Sequence, residues 1–261
     1  MRVLALDTTT RAGSVALVEH DRVLEERAGD AARTHAERLP RAIHELLRDC
    51  GMDSGDVDLF AVASGPGSFT GLLVGIATIQ GLAFVHRRQV APISALEALA
   101  HLASAGDAGA GTLVAAWMDA HRHDVFSALY RVGSGPLFHA GRVIEVEGPQ
   151  VGSPALTLER WAAMIREAPE TFIGDGAAQW AEAIHGRHAG ARIAAHPLLA
   201  GAIGRLAAAQ AAAGGAMDPA AVRPLYVRRP DAEIDRERKA VLAQNANNTR
   251  EAPDSAATRP R

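Results

Sequence analysis

Ser64-Gly65-Pro66-Gly67-Ser68-Phe69-Thr70-Gly71 is the stretch on which the fold turns. It lies inside residues 59–85, a run of 27 residues without Asp, Glu, Lys or Arg, longer than the roughly 20 apolar residues a membrane-spanning helix needs. Pro66 between two glycines breaks such a helix and would leave backbone groups unpaired in lipid. The run therefore divides into a buried strand at 58–64, a turn, and a helix at 68–86. In the turn, amides and hydroxyls gather at a helix N-terminus. Two readings fit it: a tight strand-to-helix connection with Ser68 as N-cap, or a cradle for an anion. The spacing is that of neither a dinucleotide loop nor a Walker loop, and it holds no lysine.

Working outward, residues 2–7, 14–18 and 22–27 alternate with a β-branched bias and read as three strands, with a turn at 19–21. Thr34 three residues ahead of Glu37 forms a capping box, and Leu39, Ile43, Leu46 or Leu47 and Cys50 repeat at helical spacing. A helix over 34–49 follows, kinked at Pro40. Residues 89–93 read as a strand, and Ser94 with Glu97 opens a second capped helix to 104. The small, flexible run 105–111 marks a boundary, after which the pattern restarts. Strands are expected at 112–118, 124–132 and 141–147, a helix at 156–167, a strand at 171–173 and a helix at 177–185. Two successive sets of strands and α/β units look like a duplicated architecture, with an N-terminal lobe over 1–104 and a C-terminal lobe over 112–196. The Ala-rich run 197–213 reads as a long helix crossing back to the first lobe. Residues 214–235 read as extended, and 236–261 as a disordered polar tail.

Composition removes several function classes. The 261 residues carry a net charge of −3; residues 236–261 hold six basic and three acidic side chains, leaving −6 on residues 1–235. Such a body lacks the basic stripe with which a protein binds nucleic acid unaided. The only lysine is Lys239, which excludes Walker, kinase and Schiff-base chemistry. A lone Cys50 excludes an internal disulfide and multi-Cys metal sites. Asp7 arrives too early for a signal-peptide core, so a cytoplasmic protein with no membrane segment is expected.

Few constellations carry chemistry. Asp7-Thr8-Thr9-Thr10, where a strand ends, is either an Asx-turn or a holder for a metal-bound phosphate. His44-Glu45 begins like a zincin helix, but Arg48 stands where the second His must fall. His121 and His123, with Asp119 and Asp124, are the remaining cluster, placed by alternation on one strand face near a hairpin turn; no metal site is assigned there. No nucleophile with a base is discernible. In the helix at 68–86, Gly71, Gly75 and Thr78 form a small face beside a core face of Leu72, Ile76, Ile79 and Ala83. The small face packs either on its own sheet or on a partner helix, together with the 34–49 helix.

Taken in order, the strand 2–10 running into Asp-Thr, Ser14-Val15-Ala16-Leu17, Thr34-His35-Ala36-Glu37-Arg38-Leu39-Pro40 and Gly65-Pro66-Gly67-Ser68-Phe69-Thr70-Gly71 resemble the TsaB (YeaZ) family. Met118-Asp119-Ala120, Gly174-Asp175-Gly176-Ala177 and Pro224-Leu225-Tyr226-Val227-Arg228 continue the likeness over about residues 1–230. The resemblance implies a two-lobed actin-like/Hsp70-like ATPase (ASKHA, RNase H-like) α/β fold that has lost its own catalysis. It implies a scaffold subunit for N6-threonylcarbamoyladenosine (t6A) at position 37 of ANN-reading tRNAs. The implied partners are a TsaD-type transferase and a TsaE-type ATPase, with a homodimer when the protein is alone and tRNA met only through the complex. It implies no catalytic residue and no metal. It also implies no intrinsic cofactor, with ATP or ADP the candidate at the partner interface. The partner surface falls on the two N-lobe helices, with His35, Leu39, Ile43, Leu46, Gly71, Gly75 and Thr78 as its residues, and Gly75→Leu is expected to block it. Asp7, Thr8, Thr9 and Ser68 match a remnant phosphate site. Leu73 departs from the family, which commonly has Arg there. The competing expectation is an independent actin-fold phosphotransferase using Asp7, or a peptidase.

Overall fold

The computed structural model describes residues 1–106, 109–194 and 198–228. Met1–Val227 form a compact unit; Arg228–Arg261 form a second, of which all beyond Arg228 lies outside the described residues, as do the tail expected to be disordered and the last part of the 214–235 segment.

Two five-stranded sheets carry the unit. In the first, β1 (Arg2–Asp7), β2 (Ser14–Glu19) and β3 (Arg22–Ala28) form an antiparallel meander, and β4 (Leu59–Gly65) and β5 (Gln89–Ser94) run parallel to β1, in the order β3-β2-β1-β4-β5. The second contains β6 (Leu113–Asp119), β7 (Val125–Val132), β8 (Val143–Gly152), β9 (Thr171–Ile173) and β10 (Arg192–Ala194). Its order, read from β8, is β8-β7-β6-β9-β10, with the same pattern of antiparallel and parallel pairs. The duplication invisible as a sequence repeat is explicit in the topology.

Helices α1 (His35–Asp49), α2 (Phe69–His86) and α3 (Ala95–Ser104) follow the first set of strands. The second set carries α4 (Pro154–Met164), α5 (Asp175–Gln179), α6 (Ala181–Arg187) and α7 (Ala200–Ala212). Period-2 alternation in the central strands sorts the cores. In β1, Leu4 and Leu6 join Leu39, Ile43, Leu46, Ile76 and Ile79 under α1 and α2, while Val3 and Ala5 face the other way, toward Ile203 and Ala207 of α7. In β6, Leu113, Ala115 and Trp117 pack with Trp161 and Ile184, and Val114, Ala116 and Met118 join the core shared with Leu96 and Leu99 of α3. The last helix of each set thus lies on the other set's sheet.

Several expected boundaries move, each for a local reason. The helix read at 156–167 starts earlier, because Ser153 caps it and Pro154 occupies its first turn. The helix read at 177–185 is two short ones broken at Trp180, and α5 opens on Gly174 with no side-chain cap. The strand read at 141–147 runs on to Gly152; it is an edge strand, where Pro149 removes no needed ladder bond. The three-residue β10 carries too few residues for a periodic signal. The long helix read at 197–213 begins only at Ala200. The extended reading of 214–235 holds a 3-10 turn at Pro219–Ala221 capped by Asp218. Along α1 the helix continues through Pro40.

Candidate functional site

The capping box forms as read: Thr34 Oγ1 accepts from Glu37 N–H (3.4 Å), and Glu37 Oε2 accepts from Thr34 N–H (2.9 Å). It starts α1 beside α2, which Ser68 caps by accepting from Gly71 N–H (3.3 Å). Between the two helices runs a groove of about 840 Å³, floored by Ile43 and Leu47 and edged by Pro40, His44, Ala77 and Gly81.

The partner residues expected on this face divide. Leu39, Ile43 and Leu46 are buried in the lobe's own core, because their spacing is the core-facing stripe of an amphipathic helix. Gly71 and Gly75 are also turned inward. A Cβ on Gly71 would collide with the Thr8 carbonyl, and one on Gly75 with the Thr8 side chain, so the small face exists to admit the β1–β2 turn. Gly75→Leu is therefore a packing lesion and not an interface block. Thr78 is half-buried in the groove, its hydroxyl donating to Val74 O (2.7 Å). His35 is half-buried at the other end of α1, with Nε2 on Thr10 O (3.1 Å).

What α2 offers outward is Leu73 (44% exposed), Ala77, Phe84 (80%) and Val85 (73%). The chain at 217–226 runs along it: Gln80 Nε2 donates to Pro219 O (2.8 Å), Leu225 N–H to Ser64 O (2.7 Å), and Tyr226 stacks on Phe69 at 5.3 Å. Gly65, at φ +124°, leaves room for this passage, since a Cβ there would sit 2.8 Å from Leu225 O. By length and composition alone α2 could cross a membrane; here one side of it completes the core and the other lies bare. The sequence carried a signal for that bare side. A helix apolar all round, with no charge on any face, must cover its second face with something.

Between the lobes lies a cleft of about 600 Å³, lined by Thr10, Arg11, Thr34, Ser68 and Thr70 on one side and Asp119, His121 and Asp175 on the other. Of the remnant phosphate residues, Thr9 and Ser68 line this cleft, while Asp7 and Thr8 do not. Asp7, Thr8 and Thr9 are buried, and Asp7 Oδ1 accepts from Thr9 N–H (2.8 Å) and Thr9 Oγ1–H (2.6 Å), an Asx-turn. Ser68 N–H donates to Thr9 O (3.0 Å), and a Cβ on Gly67 would sit 2.5 Å from Thr9 Cβ, so α2 closes directly over the turn. Asp7 and Thr8 are thus covered by α2, and only Thr9 and Ser68 of the four reach the cleft wall. On the opposite lobe, Asp175 Oδ1 ties Asp119 N–H and Gly176 N–H (both 2.9 Å). His121 and His123 are not on a strand face: both, with Arg122, have positive φ in the turn between β6 and β7, and His121 pairs with Asp119 at 3.2 Å. Among the described residues no group of three or more His, Cys, Asp or Glu is placed to hold a metal ion.

The family model described as TsaD, tRNA N6-adenosine threonylcarbamoyltransferase, matches residues 28–235. The Bacillus subtilis tRNA threonylcarbamoyladenosine biosynthesis protein TsaB is 32% identical over 176 residues, 67% of this chain and 71% of its own length. The crystal structure of a Pseudomonas aeruginosa protein described as similar to peptidase YeaZ is 30% identical, with a TM-score of 0.70 over 87% of this chain and 99% of that one. The chain belongs to the TsaB (YeaZ) family. A TsaB-family member built on two copies of one sheet topology has the actin-like ASKHA architecture. Component A of the Acidaminococcus fermentans (R)-2-hydroxyglutaryl-CoA dehydratase, 13% identical, shares the fold at a TM-score of 0.50 over 81% of this chain and 99% of that one.

Proposed function

We propose that this TsaB-family chain is a cytoplasmic, non-catalytic subunit of the t6A-forming machinery that activates a TsaD-type transferase by pairing with it through the outer faces of α1 and α2. The observation that carries the reading is α2 itself: uncharged along its length, with its inner face spent on sealing the Asp7–Thr9 turn and its outer face bare. The sealed turn supports a subunit without phosphotransfer chemistry of its own. In this reading a TsaE-type ATPase joins the assembly, ATP or ADP is held at the partner interface and not on Asp7, tRNA is met only through the complex, and two copies pair through the same face when the partner is absent.

The test is light scattering after size exclusion, on the protein alone and mixed with the TsaD-type transferase of the same organism, followed by a tRNA threonylcarbamoylation assay. A 1:1 complex is expected, with activity only in the mixture. Phe84→Asp should weaken pairing more than tenfold, since seating an exposed Phe is worth roughly 1.5–3 kcal/mol, while leaving thermal unfolding unchanged. Turnover of ATP or of an unfolded protein by this chain alone, or an unaltered complex with the Phe84→Asp variant, would overturn the reading.

A further inference from the structure

The first turn of α1 is pinned to the cleft. His35 Nε2 lies 3.1 Å from Thr10 O, His35 Nδ1 lies 2.7 Å from Arg38 Nη2, and Arg38 Nη2 also donates to Arg11 O (3.0 Å). The partners dictate the tautomer. A carbonyl cannot donate, so Nε2 carries the proton; a guanidinium cannot accept, so Nδ1 must be the bare acceptor. Arg38 is buried, with Nη1 unpaired, and its guanidinium lies close against Gly29, where a Cβ would collide with it. A second proton on the ring would set an N–H against a cation at hydrogen-bond distance, with no acceptor there to receive it.

We propose that His35 is an acid-releasable pin: protonation at Nδ1 breaks its contact with Arg38, frees the first turn of α1 from the Thr10–Arg11 turn, and thereby weakens partner binding on the α1–α2 face. The proposal rests on the pairing proposed above for that face.

The charged neighbours set the direction. On α1 the facing group is Arg38; the β1–β2 turn brings Arg11, and the loop before α1 brings Asp30 and Arg33. Beneath lie Asp7 of β1, already held by Thr9, and Arg27 of β3. Across the cleft stand Asp119, His121 and Asp175, while α2 presents no titratable group, only Ser68, Thr70, Gly71 and Val74. Burial and the Arg38 charge outweigh the Thr10 carbonyl and hold His35 below the usual histidine range. The pin is thus closed at neutral pH and opens only on acidification.

Affinity for the TsaD-type protein is measured by calorimetry at pH 7.5, 6.5 and 5.5 for the natural chain, His35→Gln and His35→Ala. Glutamine supplies one donor and one acceptor and does not titrate. The natural chain and the Gln variant should bind alike at pH 7.5; by pH 5.5 the natural chain should lose severalfold, short of the roughly tenfold an unshifted histidine would give over this range, and the Gln variant should keep its affinity, with the Ala variant weak throughout. A flat profile for the natural chain, or a Gln variant that follows it, sinks the pin. Amide exchange of residues 36–39 in the protein alone, corrected for intrinsic rates, reads the same event without a partner. Protection should fall on acidification in the natural chain only. If no complex forms at pH 7.5, the pairing fails while exchange still decides the pin.

Discussion

His101 sits 1% exposed between the two sheets, its Nδ1 accepting from Phe138 N–H (3.2 Å) and its ring stacked on Phe138 at 5.7 Å. Arg205 lies 3.9 Å over the other ring, and Phe138 holds φ +63°, so the segment between β7 and β8 is anchored here as well as through Arg142, which donates to Ser104 Oγ (3.0 Å). Burial first, and then the charges of Arg142 and His139, push His101 down to about 4. A base whose folded value lies below its unfolded one contributes stability above the unfolded value, and loses it as pH falls from about 6.5 toward about 4. That loss amounts to about 3 kcal/mol over the window. Urea unfolding at pH 7.5, 6 and 4.5 should show a steeper fall for the natural chain than for His101→Gln; parallel curves would mean that the histidine is solvated. Nothing in the sequence announced His101, because burial between two sheets is a fact of tertiary structure. Thr34 with Glu37, and Asp7 with Thr9, were legible because both ends of each bond lie within three residues.

At the scale of elements, α2 shows where reading from sequence stops. The strand, turn and helix around Pro66 were recoverable from charge-free length and breaker residues, since those signals are local. Periodicity also told the faces of α2 apart. It could not say which neighbour covers which face, and the glycine face went to the partner when in fact it admits Thr8. The consequence separates two variants on one helix. Gly75→Leu should cost about 3 kcal/mol or more, because a branched side chain has no space against a buried turn, and its urea midpoint should fall accordingly. Phe84→Asp should leave that midpoint where it is. A Gly75→Leu protein with an unchanged midpoint but no pairing would return the small face to the partner. Leu73 belongs to the same argument: at 44% exposure it extends the apolar stripe from Phe69 toward Ala77 and Phe84, where a charged side chain would interrupt it.

Residues 1–227 are held as one unit by an exchange of helices. α3 follows the first sheet and packs on the second, α7 follows the second and packs on the first, and a single core joins Val3 and Ala5 to Val114, Met118, Leu99 and Ile203. The start of α7 makes the coupling specific. Leu199 gives it no side-chain cap; its first amides are received instead by Ser14 Oγ, from Leu199 N–H (3.3 Å) and Ala200 N–H (3.0 Å), and by Glu26 Oε1, from Gly201 N–H (2.8 Å). A cap supplied by β2 and β3, more than 170 residues away, leaves no local trace, which is why the start of the helix was misplaced in sequence. Ser14→Ala leaves two buried donors unpaired, at about 1–3 kcal/mol. The site lies in the first lobe, whereas Trp117, Trp161 and Trp180, the only tryptophans, all lie in the second. If the exchange makes the lobes cooperative, Ser14→Ala shifts the tryptophan fluorescence transition and the far-UV circular dichroism transition by the same amount. A fluorescence midpoint that stays in place while the dichroism splits into two steps would mean that each lobe folds on its own, and that α7 is a tether between them and not their common core.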